Sequence, residues 1–143
     1  CAPLSASPAP SDFDSTKKCP VPCTNTTCIS RADLTLAVDE YLLNDTEATA
    51  TATTYGYPIG TWCVGDILDF SFLFAKSRNE KAQDMTGDLG CWDLSSATTT
   101  ASMFEDADRF NSPANNWNVQ RVASMHSTFQ AAINFTAVPA PHL

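Results

Sequence analysis

A motif that the chain repeats three times constrains the fold more than any other feature. The stretches WCVGDILDFSFLFAKS, WDLSSATTTASMFEDADRFN and WNVQRVASMHSTFQAAINF each begin with tryptophan and reach a phenylalanine twelve residues later. A repeat of roughly 20–30 residues is typical of solenoids, whose coils bury their apolar sides only by stacking on one another. We therefore expect six aromatic residues to form the repeat core: Trp62, Phe74, Trp92, Phe104, Trp117 and Phe129.

Two periods alternate within each repeat. Close to each tryptophan the apolar residues alternate, as in Trp62-x-Val64, which suits a short strand. Further on they recur at helical spacing, as in Phe70, Leu73 and Phe74, which suits a short helix. The sequence therefore predicts an α/β fold, a short right-handed leucine-rich-like solenoid of about three strand–helix coils.

The chain outside the repeats divides into an arm, a cap and a tail. Five of the nine prolines precede residue 29, and proline fixes φ and removes a donor, so this part is neither a helix nor a central strand. A helix over 30–43 is predicted by the capping-box-like start at Ser30 and by Leu34 and Val38 at helical spacing. We expect a disulfide-pinned extended arm at 1–29, a cap helix with a Thr-rich connector at 30–56, the repeats at 57–136 and a tail at 137–143.

Cysteines and glycosylation sequons indicate an oxidising compartment. An even cysteine count without cysteine–histidine metal spacing, next to three sequons, favours a secreted, disulfide-bonded glycoprotein. A lipidated first residue, as in bacterial lipoproteins, is the alternative interpretation of Cys1. The expected N-glycosylation sites are Asn25, Asn44 and Asn134, and the expected disulfide cysteines are Cys1, Cys19, Cys23, Cys28, Cys63 and Cys91.

The disulfide connectivity stays open at this point. Cys63 follows the first tryptophan and Cys91 precedes the second, so the two lie two positions out of register on neighbouring coils. Such an offset stretches the usual Cα separation of a disulfide, about 7 Å at most. Either a bulge brings the two together, or each pairs with a cysteine of the arm.

Charge and hydropathy exclude two classes of partner. The formal net charge is -8 and the eight basic residues are scattered, whereas nucleic acids and anionic membranes bind clustered Lys and Arg. The chain has no apolar run of about 18 residues, so we expect no membrane span. It starts without methionine or an apolar leader, which suggests a processed product or a fragment.

The second and third repeats carry a family resemblance. Trp92-Asp93-Leu94 with Met103-Phe104, and Trp117-Asn118-Val119 with Phe129, follow the ordered pattern W-[DN]-V…M-F…A…F-N. The region 30–136 thereby resembles the BspA-like surface repeat family. The resemblance implies an extracellular, non-enzymatic role in adhesion or surface structure.

Residues that could perform chemistry are few. His126 follows a repeat methionine and His142 lies in the tail, so neither is placed as the buried, oriented base of a catalytic triad. Asp84, Thr86 and Asp88 begin like a calcium loop, but Leu89 replaces the required glycine and Ser95 the final glutamate. The acidic cluster Glu105, Asp106 and Asp108 is better explained as a solvated face. We expect no enzyme activity, catalytic residue, metal or cofactor.

The ends of the repeat stack suggest a function. A terminal coil exposes apolar core and unpaired backbone, so it needs a cap. The predicted helix at 30–43 can cap the first coil, whereas after Phe135 the chain runs TAVPAPHL. The sequence thus predicts an extracellular structural glycoprotein that assembles head to tail with itself into a fibre or surface layer. A monomeric adhesion or carbohydrate-binding module of a larger surface protein is the alternative.

Overall fold

A computed structural model describes residues 29–136, which contain two α-helices followed by three stacked coils. Helix α1 spans Arg31–Leu43 and helix α2 spans Ala50–Tyr55. Two 3₁₀ helices, Ile59–Thr61 and Glu80–Asp84, precede and follow the first coil. The predicted arm and tail lie outside the described residues, apart from Ile29, which is buried in the core.

The expected strand–helix solenoid is wrong. Coil 1 (62–77), coil 2 (92–111) and coil 3 (117–135) contain no α-helix and no strand within the described part of the chain. They consist of successive turns, and neighbouring coils share isolated parallel bridges, Asp69 with Thr99 and Thr99 with Ser124. The α/β class therefore does not apply.

Backbone hydrogen bonds between coils explain why no helix forms. Alternate N–H groups of each coil donate to carbonyls of the following coil instead of to the carbonyl four residues back. From coil 1 to coil 2 these bonds are Phe70 N to Thr99 O at 3.0 Å, Phe72 N to Ala101 O at 3.0 Å, Phe74 N to Met103 O at 2.8 Å and Lys76 N to Glu105 O at 3.0 Å. Coil 2 repeats the pattern, from Thr100, Ser102, Phe104 and Asp106 to Ser124, His126, Thr128 and Gln130. An N–H group that donates to another coil cannot also donate to the carbonyl four residues back. The helical spacing of the apolar residues therefore does not produce a helix here.

Left-handed residues interrupt the coils at corresponding positions. Phe72, Ser102 and Ser127, each ten residues after its tryptophan, have φ of 58°, 54° and 57°. Only glycine enters this region freely, and other residues stay there when the surrounding structure holds them. At Phe72 and Ser102 the inter-coil hydrogen bonds donated by their own N–H groups supply that restraint.

Helix α1 lies where the sequence predicts it, with Ser30 as its N-cap accepting a hydrogen bond from the backbone N–H of Asp33. Its buried side consists of Leu34, Ala37, Val38 and Tyr41. The Thr-rich stretch, expected as a plain connector, instead contains α2. The hydroxyl of Thr49 accepts from Ala52 N at 3.0 Å, and such N-caps are worth about 1 kcal/mol.

The core is a column of aromatic rings. Phe104 stacks between Phe74 and Phe129 with centroids 5.5 Å apart on both sides and planes within 3°. Trp62 and Trp92 stack at 6.2 Å. All these rings are buried except Phe129, which is half-buried. The aromatic motif residues thus fix the vertical register of the coils.

Candidate functional site

The two ends of the coil stack present opposite backbone groups. Along Phe70–Lys76 and the equivalent stretch of coil 2, alternate N–H groups point toward the following coil, so in this stretch the first coil leaves a row of carbonyls and the last coil leaves a row of N–H groups. Just before it the direction reverses, since Thr98 N donates to Leu68 O and Ala123 N donates to Thr98 O. We call the two rows the head edge, formed by the carbonyls of Asp69, Ser71 and Leu73, and the tail edge, formed by the N–H groups of Met125, Ser127, Phe129 and Ala131.

Two arginines close the head edge. The guanidinium of Arg31, on α1, donates from Nη1 to Asp69 O at 2.8 Å and from Nη2 to Ser71 O at 2.7 Å. Arg78 donates from Nε and Nη2 to Leu73 O at 3.1 and 2.6 Å. A carbonyl row carries partial negative charge, and hydrogen bonds from a cation are stronger than neutral ones.

An acidic side chain lies close to each of these arginines. Asp39 Oδ1, on α1, accepts from Arg78 Nη1 at 2.8 Å and from Asn79 Nδ2 at 2.8 Å. The Asp69 carboxylate accepts from Ser71 N and Oγ at 2.8 and 2.6 Å. Burial acts to raise the pKa of Asp69, but the two Ser71 hydrogen bonds and the charge of Arg31 outweigh it, and the pKa is lowered. The head edge is therefore closed by a charged network.

The tail edge has no such closure within residues 29–136. The N–H groups of Met125, Ser127, Phe129 and Ala131 correspond to those that bind the next coil in coils 1 and 2, yet no described residue accepts from them. Unpaired backbone donors in a row are a template for pairing with another segment.

The last coil also has a carbonyl that lacks the indole donor found in the earlier coils. The indole Nε1 of Trp92 donates to Ile59 O at 2.8 Å, and that of Trp117 donates to Leu89 O at 2.9 Å. Each indole thus reaches back to the carbonyl three residues before the preceding tryptophan. The corresponding carbonyl of the last coil, Ala114 O, accepts only from Trp117 N among the described donors.

The tail also exposes apolar side chains. Phe129 and Phe135 stack with centroids 4.1 Å apart and are half-buried, although the corresponding Phe104 and Phe110 are fully buried. Ile133 is 74% exposed. The last coil therefore combines unpaired donors with uncovered core, which makes it the candidate site.

At the opposite end, α1 turns an apolar stripe outward. Leu36 is 68% exposed and Leu43 is 74% exposed, and Glu40 lies between them on the same side of the helix. Glu40 Oε2 accepts from Thr51 N at 2.7 Å, and the hydrogen bonds from Thr51 lower the pKa of this carboxyl. A groove of about 290 Å³ adjoins the stripe and is lined by Asp33, Leu36, Ala37, Glu40, Thr51 and Tyr55.

The predicted modification sites are distributed over both ends. Asn44 is the exposed C-cap of α1, and Asn134 is exposed on coil 3. Neither Cys63 nor Cys91 is a free thiol. Asn25 and the four other cysteines, Cys1, Cys19, Cys23 and Cys28, lie outside the described residues.

The residues considered for chemistry do not converge. His126 is exposed, and His142 lies outside the described residues. Asp84 pairs with Arg109 at 3.5 Å, and Asp88 Oδ1 accepts from Gly90 N at 2.8 Å. Between residues 29 and 136, no group of three or more His, Cys, Asp or Glu side chains is placed to hold a metal ion.

The arginine closure of the head edge was missed by sequence reasoning. A signal existed: Arg78 stands sixteen residues after its tryptophan, where the other copies have Asp108 and Ile133. A cation found only in the copy beside the cap could have indicated a special role. The Asp or Asn after tryptophan also has a structural reason, since Asp93 Oδ1 accepts from Ser95 N at 2.9 Å and Asn118 Oδ1 from Gln120 N at 3.0 Å.

Comparison with known proteins places the repeats in a family. No curated protein and no solved structure matches the chain, and no helix among the described residues is long and apolar enough to cross a membrane. One family model matches residues 43–140, which include all three tryptophan repeats and more than half of the chain. The chain therefore belongs to the family described as Mycoplasma protein of unknown function, DUF285.

Proposed function

We propose that the chain is an extracellular structural glycoprotein of the BspA-like kind, without enzyme activity, that assembles head to tail with itself. The observation that carries the proposal is the tail edge, whose four N–H groups have no partner among the described residues. A buried donor without an acceptor costs about 1–3 kcal/mol. A contact that covers this end must therefore supply acceptors for these N–H groups.

Secretion is supported by independent features. Asn44 and Asn134 are exposed, as glycan attachment requires. Both cysteines of the described part of the chain, Cys63 and Cys91, are disulfide-bonded, which suits a disulfide-forming compartment. The net charge of -8 keeps separate chains soluble until a specific contact forms.

Negative-stain electron microscopy of the purified chain, with and without reductant, tests this function. We expect fibres with a regular axial repeat. Fibres that come apart only under reductant would add a covalent link between chains. Uniform small particles in both conditions would contradict self-assembly.

The second candidate is a monomeric adhesion or carbohydrate-binding module. Phe72 and Tyr57 favour it, because both expose an aromatic ring on which a sugar could stack. Small particles that bind immobilised glycans, with binding lost in Phe72→Ser, would support this alternative.

A further inference from the structure

We propose that the tail edge of one copy pairs with the head edge of a second copy, and that helix α1 of the second copy must leave that edge first. Helix α1 thereby inhibits assembly until it is released. This inference rests on the proposed self-assembly and names its contact surfaces. It follows from the register of the hydrogen-bonding groups at the two ends.

The head edge has acceptors at the positions that a preceding coil needs. In both junctions, donors eight, ten and twelve residues after one tryptophan meet carbonyls seven, nine and eleven residues after the next tryptophan. In the terminal coils the groups at these positions are the N–H groups of Met125, Ser127 and Phe129 at the tail and the carbonyls of Asp69, Ser71 and Leu73 at the head. Three donors of one copy therefore match three acceptors of another copy in the register that the chain itself uses.

The fourth tail donor does not depend on this contact. By the same register Ala131 N would meet Ala75 O, which already accepts from Arg78 N at 3.0 Å and from Asn79 N at 3.1 Å. Ala131 is exposed, so its N–H group can bind water instead.

Two further pairs of groups match beside the row. Thr98 N donates to Leu68 O at 2.7 Å and Ala123 N donates to Thr98 O at 2.8 Å, and the same step would bring Leu68 N of one copy to Ala123 O of the other. Each inner indole binds the carbonyl three residues before the preceding tryptophan. The indole of Trp62 would by this rule reach Ala114 O, the carbonyl that lacks an indole donor at the tail.

The cap, residues 30–56, presently occupies the head with groups that resemble those of a preceding coil. The guanidinium of Arg31 donates to Asp69 O and Ser71 O, as two backbone N–H groups of a coil would. Trp62 Nε1 donates to Gly56 O at 2.9 Å, in place of a carbonyl from a preceding coil. The cap and the tail of another copy therefore compete for the same groups.

The aromatic core is covered by the cap in a similar way. Trp62 packs on Tyr41 and Tyr55, with ring centroids 6.4 and 6.2 Å apart. In the proposed contact Trp117 of the other copy replaces the two tyrosines. Phe129 of that copy continues the phenylalanine column, so its half-buried ring becomes covered.

Release of α1 has a cost, which makes the capped chain the resting state. Leu34 and Val38 are 0% exposed and would lose their packing. Arg78, which donates to Leu73 O, is bound to Asp39 of α1 and would lose this partner. The contact joins opposite ends of the chain, so each addition leaves one open tail and generates a filament unless rotation closes a ring.

Variants that weaken the cap test the inference. Val38→Ala removes packing from α1, and Arg31→Leu removes the two hydrogen bonds to the head edge. We expect both variants to form fibres at a lower protein concentration than the unmodified chain, by roughly tenfold for the lost charged hydrogen bonds. Sedimentation of fibres over a concentration series measures this, and circular dichroism checks the fold.

Matched controls change the same residue types away from the cap. Val64→Ala removes packing in coil 1 at a side chain that is 1% exposed, and Arg121→Leu removes an exposed arginine. Neither should promote fibres. Equal promotion by Val64→Ala would show that general destabilisation drives assembly and would overturn the inference, as would two cap variants that assemble no more readily than the unmodified chain.

Hydrogen exchange in the fibres separates this inference from self-assembly as such. We expect the N–H groups of Ser127 and Phe129 to become protected on assembly and those of Leu34 and Val38, in α1, to lose protection. Protected tail groups together with an unchanged α1 would overturn the release of α1 while leaving self-assembly standing.

The presence of fibres in each protein separates the remaining outcomes. Fibres from the two cap variants but not from the unmodified chain would support inhibition by α1 and contradict the proposed function of the unmodified chain. Absence of fibres from all three proteins would overturn both.

Discussion

Several residues of the coils hold backbone conformations that their side chains disfavour. Five residues other than glycine have φ between 54° and 58°: Phe72, Ser102, Asp106, Ser127 and Ala131. A left-handed residue with a Cβ costs roughly 1–2 kcal/mol. The coils therefore contain strain at fixed positions, and substitution can release it.

Ala131→Gly should release this strain. Ala131 has φ of 56° and its side chain is exposed, so glycine loses no packing. We expect the free energy of unfolding to rise by about 0.5–1 kcal/mol, since the gain exceeds the extra entropy of glycine in the unfolded chain. Urea denaturation measures it. Ala123→Gly, at an exposed residue without positive φ, is the control and should destabilise; equal effects would refute the strain argument.

Tyr41 should make stability depend on alkaline pH. Burial, and to a smaller extent the charges of Asp45 and Tyr57, raises the pKa of Tyr41 to about 12, against a hydrogen bond to the Gly87 backbone that lowers it. The unfolded value is about 10, so the folded state favours the neutral phenol. Its stabilising effect is complete below pH 10 and is lost as pH rises toward 12.

The measurement is the urea midpoint at several values between pH 9 and about 11. Tyr41→Phe should fall less steeply with pH than the unmodified chain. Leu68→Ala, at an exposed side chain that does not titrate, is the comparison and should keep the original slope. Identical slopes in all three proteins would contradict the role of Tyr41.

At the scale of elements, α1 is joined to the coils by charge as well as by apolar packing. Arg31 is its most direct link, with two hydrogen bonds to coil 1 carbonyls. Arg31→Leu should lower the free energy of unfolding by about 2 kcal/mol, because hydrogen bonds to charged groups contribute about 1.5–3 kcal/mol. Chemical denaturation checks it, with exposed Arg121→Leu as control. An unchanged midpoint would show that the arginine closure is dispensable.

The sequence predicts the elements that are set by neighbouring residues, but not those that are set by hydrogen bonds between residues far apart in the chain. The start of α1 depends on Ser30, and its buried side on Leu34 and Val38, all readable within one turn or two. The repeat residues Phe70, Leu73 and Phe74 have the same helical spacing, yet their coil is not helical. Its N–H groups bind residues about thirty positions away, which no local period reveals.

The candidate site was predictable only in part. The aromatic repeats indicated stacked coils with an uncovered last member. The row of unpaired donors at that end was not readable, because the turns of the coils pass through left-handed residues such as Phe72 and Ser127, whose side chains carry no such signal. The Arg31 contacts of the closure span 38 and 40 positions, and those of Arg78 span 5 and 6.

At the scale of the whole molecule, the open tail should be visible in hydrogen exchange. We expect slow exchange at Phe72, Phe74, Ser102 and Phe104, whose N–H groups are bonded to the next coil. Ser127 and Phe129 occupy the same repeat positions without acceptors and should exchange much faster. Amide exchange followed by NMR tests this on the dispersed chain. Equal protection in coil 3 would show that another segment covers the tail edge.

The direction of the inter-coil bonds has a consequence for how such chains can lengthen. The two junctions repeat the same pattern of N–H groups and carbonyls, so a copy inserted between coils 2 and 3 would meet compatible groups on both sides. The arginine closure and the terminal donors would remain unchanged, and the molecule would grow by about 5 Å, one strand spacing. The number of repeats thus sets the length of the molecule, while the hydrogen-bonding groups at its two ends stay the same.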